Sequence, residues 1–459
     1  MRFGYAITGA KNRPAVPEAL GYEVDKLSKK HTEAYIRHYA SLLKDGIGPL
    51  FGKALTYMLM DSWEAGIQNW TDQMPQEFQK RRGYSLIPFL PVMAGRVVGD
   101  GETSDRFLWD FRRTLVDMFA ENHYGTITKA LNEQGIRTYG EAGGVSLESI
   151  EDALLNKKYV DIPMGEFWVK DLHPSSMYYQ DVRGAASASH VYGKKLVAAE
   201  AFTGGNFESP FTLKKIADYW FTQGVNRLVF HTSAHQPLNT KPGNAMVGTH
   251  IHRNITWAED ARPLFTHFAR SSYLLQRGLF VADVVYLLNE GAPSTMPFWG
   301  GGLQPELPEG YDYDYINADA LLSRMDVSEK GQLVLPDGMT YSVLVLPRTE
   351  EMTLPVLQKV RSLLAKGAVV VGQKPLKTPG LSPSPLADNA ELSELASEIW
   401  ADLDGQSRTR RRYGKGRIFW GVPLKQVLLE LGVSKDLQLN RPASEVSWIH
   451  RKDQDLDIY

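Results

Sequence analysis

Residues 55–64 read Leu-Thr-Tyr-Met-Leu-Met-Asp-Ser-Trp-Glu, an apolar run that stops at a carboxylate beside an aromatic side chain. Glutamate is rarely buried without a partner. Several acids at the ends of apolar strands therefore predict functional groups gathered at one edge of a parallel sheet, as at the C-terminal rim of an α/β barrel. Three later segments repeat the pattern and a fifth run ends in histidine; these are residues 137–141, 160–168, 196–202 and 226–231.

Strands alternate with amphipathic helices from residue 1 to about residue 285, which predicts an α/β fold with a parallel sheet. Residues 209–230 illustrate the unit, because Ser209 can cap a helix that begins at Pro210 and a strand then ends at Phe230. Six strands can be recognised, whereas a closed (β/α)8 TIM-type barrel needs eight. Either two strands are too irregular to recognise, or the barrel is incomplete at its N-terminal side. The six predicted strands are residues 3–7, 55–60, 137–139, 162–164, 196–199 and 228–230.

The sequence changes character after residue 290, where glycine, proline and aromatic residues crowd together. We predict three parts: a partial catalytic barrel at residues 1–290, a linker with a small βαβ domain at residues 291–400, and a β-rich C-terminal segment at residues 401–459. The last segment stops within what looks like a strand. The βαβ part contains no clustered acids or bases, so we expect a structural role for it.

Composition excludes several classes of protein. The formal net charge of the 459 residues is -2, so no basic field attracts nucleic acid. The absence of cysteine removes disulfides, thiolate metal sites and cysteine nucleophiles. No apolar run approaches the roughly 18 residues of a membrane span. The N-terminal residues show no secretory signal.

Glu64 is the candidate catalytic acid in the segment after the first of these strands. Asp61, Trp63 and Trp70 surround it in sequence. A carboxylic acid beside tryptophan rings can have its pKa raised by desolvation, which suits a general acid. The alternative is a helix cap or a salt bridge at the rim. Carbohydrate is the substrate class that such tryptophans favour.

Three further glutamates end apolar runs. Glu166 lies between Gly165 and two aromatic residues, of which Trp168 offers a flat face for a sugar ring. Glu200 follows four apolar residues and precedes a glycine-containing loop. Glu141 lies among glycines. Each can be either a site residue or a structural ion-pair partner.

Two histidines, His231 and His235, follow the fifth run. A histidine at a strand end is commonly a structural group, but two beside the acids favour binding of sugar hydroxyl groups. The residues do not favour a zinc site, because neither a His-Glu-x-x-His helix nor a thiolate is present. A hard cation held by carboxylates, such as calcium, remains compatible with the residues.

Six segments together resemble the α-L-rhamnosidases of glycoside hydrolase family 106. The resemblance implies a bacterial enzyme with a (β/α)8 barrel, inversion of configuration and a calcium ion near the sugar, whose ligands we do not assign. It implies that Glu64 is the general acid, that Glu166 and Glu200 form the opposing acidic pair, and that Glu166 activates water. The segments are residues 21–28, 61–66, 78–84, 164–168, 199–202 and 230–237.

Members of that family begin their barrel upstream and continue into β-sandwich modules, so the resemblance implies an internal fragment of a longer enzyme. It also makes the periplasm or export a better expectation than the cytoplasm. The expected function is removal of terminal α-L-rhamnose from polysaccharides or glycosides.

Two alternatives remain. One is a retaining glycosidase with Glu64 as acid/base and Glu200 as nucleophile, and the other is a non-catalytic carbohydrate-binding protein. An inverting pair lies roughly 6.5–9.5 Å apart and a retaining pair roughly 5–5.5 Å apart.

Overall fold

The computed structural model of the 459-residue chain describes residues 4–12, 15–143, 150–169, 178–234, 236, 247–294, 302–440 and 446–459. Its helices are α1 (Lys29–Ile47), α2 (Met74–Arg82), α3 (Leu90–Met93), α4 (Gly101–Met118), α5 (Thr126–Asn132), α6 (Ala153–Tyr159), α7 (Tyr178–Val191), α8 (Pro210–Thr222), α9 (Arg262–Leu275), α10 (Ala318–Arg324), α11 (Leu354–Lys366), α12 (Pro385–Trp400) and α13 (Leu424–Leu431). A π-helical turn, Phe119–Gly125, joins α4 to α5.

The strands build four sheets. They are β1 (Tyr57–Met60), β2 (Arg137–Gly140), β3 (Ile162–Trp168), β4 (Ala198–Thr203), β5 (Arg227–Phe230), β6 (Leu279–Phe280), β7 (Val284–Leu287), β8 (Tyr313–Ile316), β9 (Asp326–Val327), β10 (Leu333–Val334), β11 (Thr340–Tyr341), β12 (Val343–Val345), β13 (Val369–Val371), β14 (Arg410–Tyr413), β15 (Gly416–Phe419), β16 (Arg451–Asp453) and β17 (Leu456–Ile458).

The first sheet contains β1 to β5 in chain order, and every neighbouring pair is parallel. Helical segments connect the strands, as the sequence pattern predicted. The predicted cap of α8 is confirmed, because the Ser209 side chain accepts from the Thr212 amide and Pro210 is the first helical residue. The result is an α/β fold with a five-stranded parallel half-barrel.

The prediction of a strand at residues 3–7 is wrong for its described part. Residues 4–7 have no strand assignment and are exposed, and the side chain of Ile7 is 77% exposed. Alternation of apolar residues is insufficient when no neighbouring strand supplies backbone partners. The described residues therefore contribute five strands to this sheet, not six.

The second sheet has six strands in the order β14-β15-β13-β12-β7-β8, parallel except for the β14–β15 pair. The βαβ unit that the sequence predicted is present as β12, α11 and β13. Strands of this sheet come from all three predicted parts of the chain, so the sheet crosses both predicted boundaries, at residues 290 and 400. Two three-stranded sheets, β9–β11 and β6 with β16–β17, complete the described strands.

Helix α7 connects the two large sheets. It contacts β3 on one side and β8 on the other, and its interior residues Ala185, Ala186 and Ala188 are fully buried. One apolar cluster extends from Phe167 of β3 to Leu344 of β12, so the sheets share a core. Among the described residues, no helix is both long and apolar enough to cross a membrane.

Candidate active site

Carboxylates converge at the C-terminal edge of the half-barrel. Asp61 directly follows β1 and Glu141 directly follows β2, while Glu166 and Glu200 lie within β3 and β4. The strand register makes them neighbours: Met60 pairs with Gly140, and Glu166 pairs with Glu200. The Glu141 amide also donates to the Met60 carbonyl, at 3.1 Å. The structure therefore brings together the acids that the sequence placed at separate strand ends.

Three of these acids form a group that can share one cation. Asp61, Glu141 and Glu200 each offer a carboxylate oxygen, and these oxygens lie within 4.8 Å of one another. Glu141 is completely buried, and neither of its carboxylate oxygens has a hydrogen-bond partner among the described residues. Burial, followed by the charges of Glu166 and Glu200, raises the pKa of Glu141 well above its ordinary range.

Glu166 and Glu200 are buried side by side. Burial raises the pKa of Glu166 to about 8, and the neighbouring Glu200 adds to this shift. The Trp168 indole N–H donates to Glu166, which acts in the opposite direction. Burial also raises the pKa of Glu200, against a hydrogen bond from the Thr203 hydroxyl and the proximity of His231. Both acids thus favour a proton or a nearby positive charge.

Glu64 lies in the loop after β1, exposed to solvent, where its carboxylate accepts from the Ser62 hydroxyl at 3.2 Å. The negative charge of Glu64 repels that of Glu200 and contributes to the raised pKa of Glu200. Neither of the two alternatives considered for Glu64, a helix cap or a salt bridge, is present in the described contacts. The side chain is therefore available to a ligand at the mouth of the sheet.

The tryptophans occupy different environments. Trp63 is only 5% exposed, packs edge-on against Phe119 with ring centroids 4.7 Å apart, and donates to the Gly66 carbonyl. This burial leaves Trp63 no face on which a sugar could stack, so the structure gives it a supporting position beneath the loop. Trp70 is half-buried beside Tyr5. Trp168 is half-buried and linked to Glu166, as described above.

His231 follows β5 and is half-buried. Its amide donates to the Ala201 carbonyl of β4, and its Nδ1 has no hydrogen-bond partner among the described contacts. The ring is close enough to Glu200 to lower the pKa of that acid. His231 thus belongs to the same edge, whereas His235 lies outside the described residues.

Sequence reasoning missed two charged residues next to the acids. Lys157 of α6 and Asp181 of α7 are fully buried and form an ion pair, with Nζ 3.2 Å from Oδ1. Nothing in the sequence distinguishes Lys157 from Lys158, whose side chain remains 33% exposed. Only the packing of α6 and α7 against the sheet reveals the difference.

A groove of about 800 Å³ between α1, α2 and the π-helical turn contains none of the candidate acids. Ion pairs line it, including Arg37 with Glu133 and Arg81 with Glu121. It also carries several lysines, including Lys29, Lys30 and Lys129, and so lacks the clustered carboxylates of the sheet edge. We therefore place the candidate active site at the edge of the sheet.

Paired carboxylates at the C-terminal edge of a β/α half-barrel are typical of glycoside hydrolases. The chain belongs to glycoside hydrolase family 106, described as α-L-rhamnosidase, since the model of that family matches residues 1–459. Recognition of this family from the sequence is thereby confirmed.

A solved rhamnosidase from Novosphingobium sp. PP1Y superimposes on this chain with a TM-score of 0.91 at 37% sequence identity. The matched region is 98% of this chain and 43% of the rhamnosidase chain. A Formosa agariphila protein named "Putative beta-glucuronidase" is 34% identical over 465 residues, which are 100% of this chain and 37% of the relative. The chain thus spans less than half of either relative. A GH42 β-galactosidase from G. stearothermophilus shares the fold, with a TM-score of 0.60 at 11% identity over 94% of this chain and 75% of that one.

Proposed function

We propose that this chain carries the active site of an inverting α-L-rhamnosidase. The observation that carries the proposal is the convergence of carboxylates from four neighbouring strands in a member of this family. The expected substrate is a terminal α-L-rhamnoside of a polysaccharide or glycoside. Rhamnose is uncharged, and an acidic mouth accepts a neutral sugar more readily than an anionic one.

Glu64 and Glu166 are suited to opposite roles. Glu64 is exposed at the mouth, where a leaving oxygen can receive its proton. Glu166 is 7% exposed, and the Trp168 N–H orients its carboxylate. In an inverting enzyme the acid protonates the leaving oxygen while the base activates water on the other face of the sugar. We assign Glu64 as the acid and Glu166 as the base.

The calcium ion that the family resemblance implies fits Asp61, Glu141 and Glu200. Calcium prefers oxygen ligands at about 2.4 Å, so ligand oxygens around one ion lie no more than roughly 4.8 Å apart. The three carboxylates satisfy this limit, and the buried oxygens of Glu141 have no hydrogen-bond partner in the part of the chain that the structure describes. A divalent cation held there would offset the clustered negative charge and offer coordination positions to sugar hydroxyl groups.

A retaining mechanism is the competing proposal, with Glu64 as acid/base and Glu200 as nucleophile. Participation of Glu200 in the three-carboxylate group argues for a binding role instead. Proton NMR of the first-formed sugar anomer separates the two mechanisms. Inverted product supports our proposal, whereas retained configuration overturns it in favour of the Glu200 nucleophile.

The relative named as a glucuronidase introduces a second substrate class, a sugar acid. The clustered carboxylates oppose that class, because the substrate would add a further negative charge. The choice between these substrate classes is tested by measuring kcat/KM for an aryl rhamnoside and for an aryl glucuronide. The enzyme used is the protein encoded by the whole reading frame that contains this chain. A higher kcat/KM for the glucuronide would contradict the proposal.

Glu64→Gln tests the assignment of the acid in the same protein. Loss of general acid catalysis should lower kcat on natural rhamnosides roughly 100- to 10,000-fold. An aryl rhamnoside with an acidic leaving group should lose much less, since its departure needs little protonation. Glu102→Gln is the control, because Glu102 is also exposed but pairs with Arg106 on α4. Wild-type rates on both substrates would remove Glu64 from the mechanism.

Glu166→Ala tests the assignment of the base. The variant should lose most turnover, and azide should restore part of it by acting as a small external nucleophile. Rescue of Glu200→Ala instead of Glu166→Ala would move the role to Glu200.

A further inference from the structure

The backbone ladder between β2 and β3 ends before it reaches Glu141, which follows β2, or Glu166, which lies in β3. The paired residues are Tyr139 with Ile162 and Gly140 with Pro163. Glu141 is the first residue after β2, while Glu166 lies three residues beyond Pro163. On the other side of β3 the ladder with β4 continues through Glu166. Direct hydrogen bonds between neighbouring strands therefore fix Glu166 relative to Glu200, but not relative to Glu141.

A buried ion pair spans this interruption. The Lys157 ammonium donates to the backbone carbonyl of Glu141 and also to Asp181 Oδ1, at 3.2 Å. The second oxygen of Asp181 accepts from the backbone N–H of Glu166, at 2.9 Å. A continuous path thus runs from the Glu141 carbonyl through Lys157 and Asp181 to the Glu166 amide. These two side chains supply the connection that the strands lack.

The close packing of α7 makes this connection possible. A β-carbon at Gly165 would lie 2.9 Å from the Cα of Val182 and 3.1 Å from Asp181 Oδ2. The absence of a side chain at Gly165 therefore lets Asp181 reach the backbone of β3. Residue 165 precedes Glu166 directly, so the glycine places the contact at the functional position.

Stability alone is a poor explanation for this pair. Lys157 and Asp181 are both 0% exposed, and desolvation of two charges commonly cancels the gain from their attraction. Hydrophobic residues of similar volume often stabilise such positions equally well. The polar contacts to Glu141 and Glu166 are what hydrophobic residues could not reproduce.

We propose that the buried Lys157–Asp181 ion pair positions the backbone at Glu141 and Glu166, and so sets the arrangement of their carboxylates. The inference rests on the proposed function for its effect on catalysis and cation binding. Lys157 and Asp181 act through Glu141 and Glu166 and do not touch the substrate. Loss of such a supporting contact typically lowers metal affinity or activity roughly 10- to 100-fold.

The test is the double variant Lys157→Met/Asp181→Leu, which removes the polar contacts without changing net charge. We expect a modest loss of thermal stability, because the buried Glu141 carbonyl and Glu166 amide lose their partners, and faster hydrogen exchange at the Glu166 amide. Calcium affinity by calorimetry should fall roughly 10- to 100-fold. In the protein encoded by the whole reading frame, kcat should fall by a similar factor.

The matched control is Arg183→Met/Asp312→Leu. Arg183 is also on α7, and its pair with Asp312, at 2.8 Å, faces the second sheet instead of the acids. The control should leave Glu166 exchange and calcium affinity unchanged. Equal losses in both double variants, or none in either, would overturn the proposal. Wild-type exchange at the Glu166 amide in the first variant would also overturn it.

Lys157→Gln provides a second variant if the double variant does not fold. Removal of a positive charge should by itself strengthen calcium binding, whereas loss of positioning should weaken it. Weaker binding by Lys157→Gln would therefore support the positioning role, and stronger binding would contradict it. Absence of calcium binding in the wild-type chain would refute the proposed cation site alone. Hydrogen exchange at Glu166 would still test the positioning role.

Discussion

Two completely buried carboxylates in this molecule have opposite surroundings. Asp314, in β8, is contacted by the Ser187 hydroxyl at 2.8 Å, His190 Nδ1 at 2.9 Å and the Tyr341 hydroxyl at 2.9 Å. Glu141, after β2, has no hydrogen-bond partner for either carboxylate oxygen among the described residues. Both are 0% exposed. Burial is therefore the same, and only the supply of partners differs.

The difference separates a structural acid from an acid with unused capacity to bind a ligand. Asp314 joins α7 to the second sheet, and its partners replace the water that it loses on folding. Glu141 is left with a desolvation cost that no hydrogen bond from the described residues offsets. A ligand that brings positive charge or hydrogen-bond donors would offset that cost. Unmet hydrogen-bonding capacity at a strand end thus marks the site more sharply than burial does.

The largest effect on stability is expected at Asp314, the buried acid whose oxygens have hydrogen-bond partners. Asp314→Leu would leave several buried polar groups without their acceptor, so the free energy of unfolding should fall by about 3–5 kcal/mol. Denaturant unfolding of the 459-residue chain measures this change. A loss below about 1 kcal/mol would show that the Asp314 contacts contribute little.

Glu141→Gln should change stability in the opposite direction. The neutral amide avoids burial of an uncompensated charge, so without metal the free energy of unfolding should rise by about 1–3 kcal/mol. Calcium at 100 times its Kd should stabilise the wild-type chain by about 2.7 kcal/mol and leave the variant unaffected. Destabilisation of the metal-free variant would mean that the Glu141 carboxylate already has a stabilising partner.

The stability of the metal-free chain should fall as the pH rises, because the buried acids must then lose their protons. Folding raises the pKa of Glu166 from 4.5 to about 8. The folded chain therefore binds more protons in this window, and stability falls as the pH rises from about 4.5 to about 8. Glu141 shifts in the same direction. The melting temperature in EDTA should decrease between pH 5 and pH 8, less so in Glu166→Gln. A rise over that range would contradict the account.

Trp168→Phe should have the smallest effect. The indole N–H lowers the pKa of Glu166 by hydrogen bonding, so its removal should raise that pKa, by about one unit or less. In the protein encoded by the whole reading frame, the acidic limb of the plot of kcat against pH should therefore move to higher pH. A shift to lower pH would contradict the assignment of Glu166 as base.

Local patterns predicted much of the arrangement. Apolar runs that end in acids identified β1 to β4, and the parallel register then brought Asp61, Glu141, Glu166 and Glu200 together. The α/β class follows from the same alternation. These features depend on nearest neighbours in sequence and on one rule of sheet geometry, so a single chain contains enough information for them.

Features that depend on packing could not be predicted. Trp63 was expected at the sugar, but its loop folds back so that its amide donates to the Gly143 carbonyl and its ring enters the core. Lys157 and Lys158 are adjacent and chemically identical, yet only the first lies beneath the acids. The extent of the second sheet likewise depends on strand pairings between distant segments.

A calcium titration by calorimetry tests the central claim most directly, with the 459-residue wild-type chain and Glu141→Gln compared at the same pH. The claim is that the clustered acids at the edge of the half-barrel form a cation-dependent sugar site. It predicts one calcium per wild-type chain, with tighter binding than magnesium, and no binding to the variant. Absence of binding to the wild-type chain, or equal binding to both chains, would contradict it.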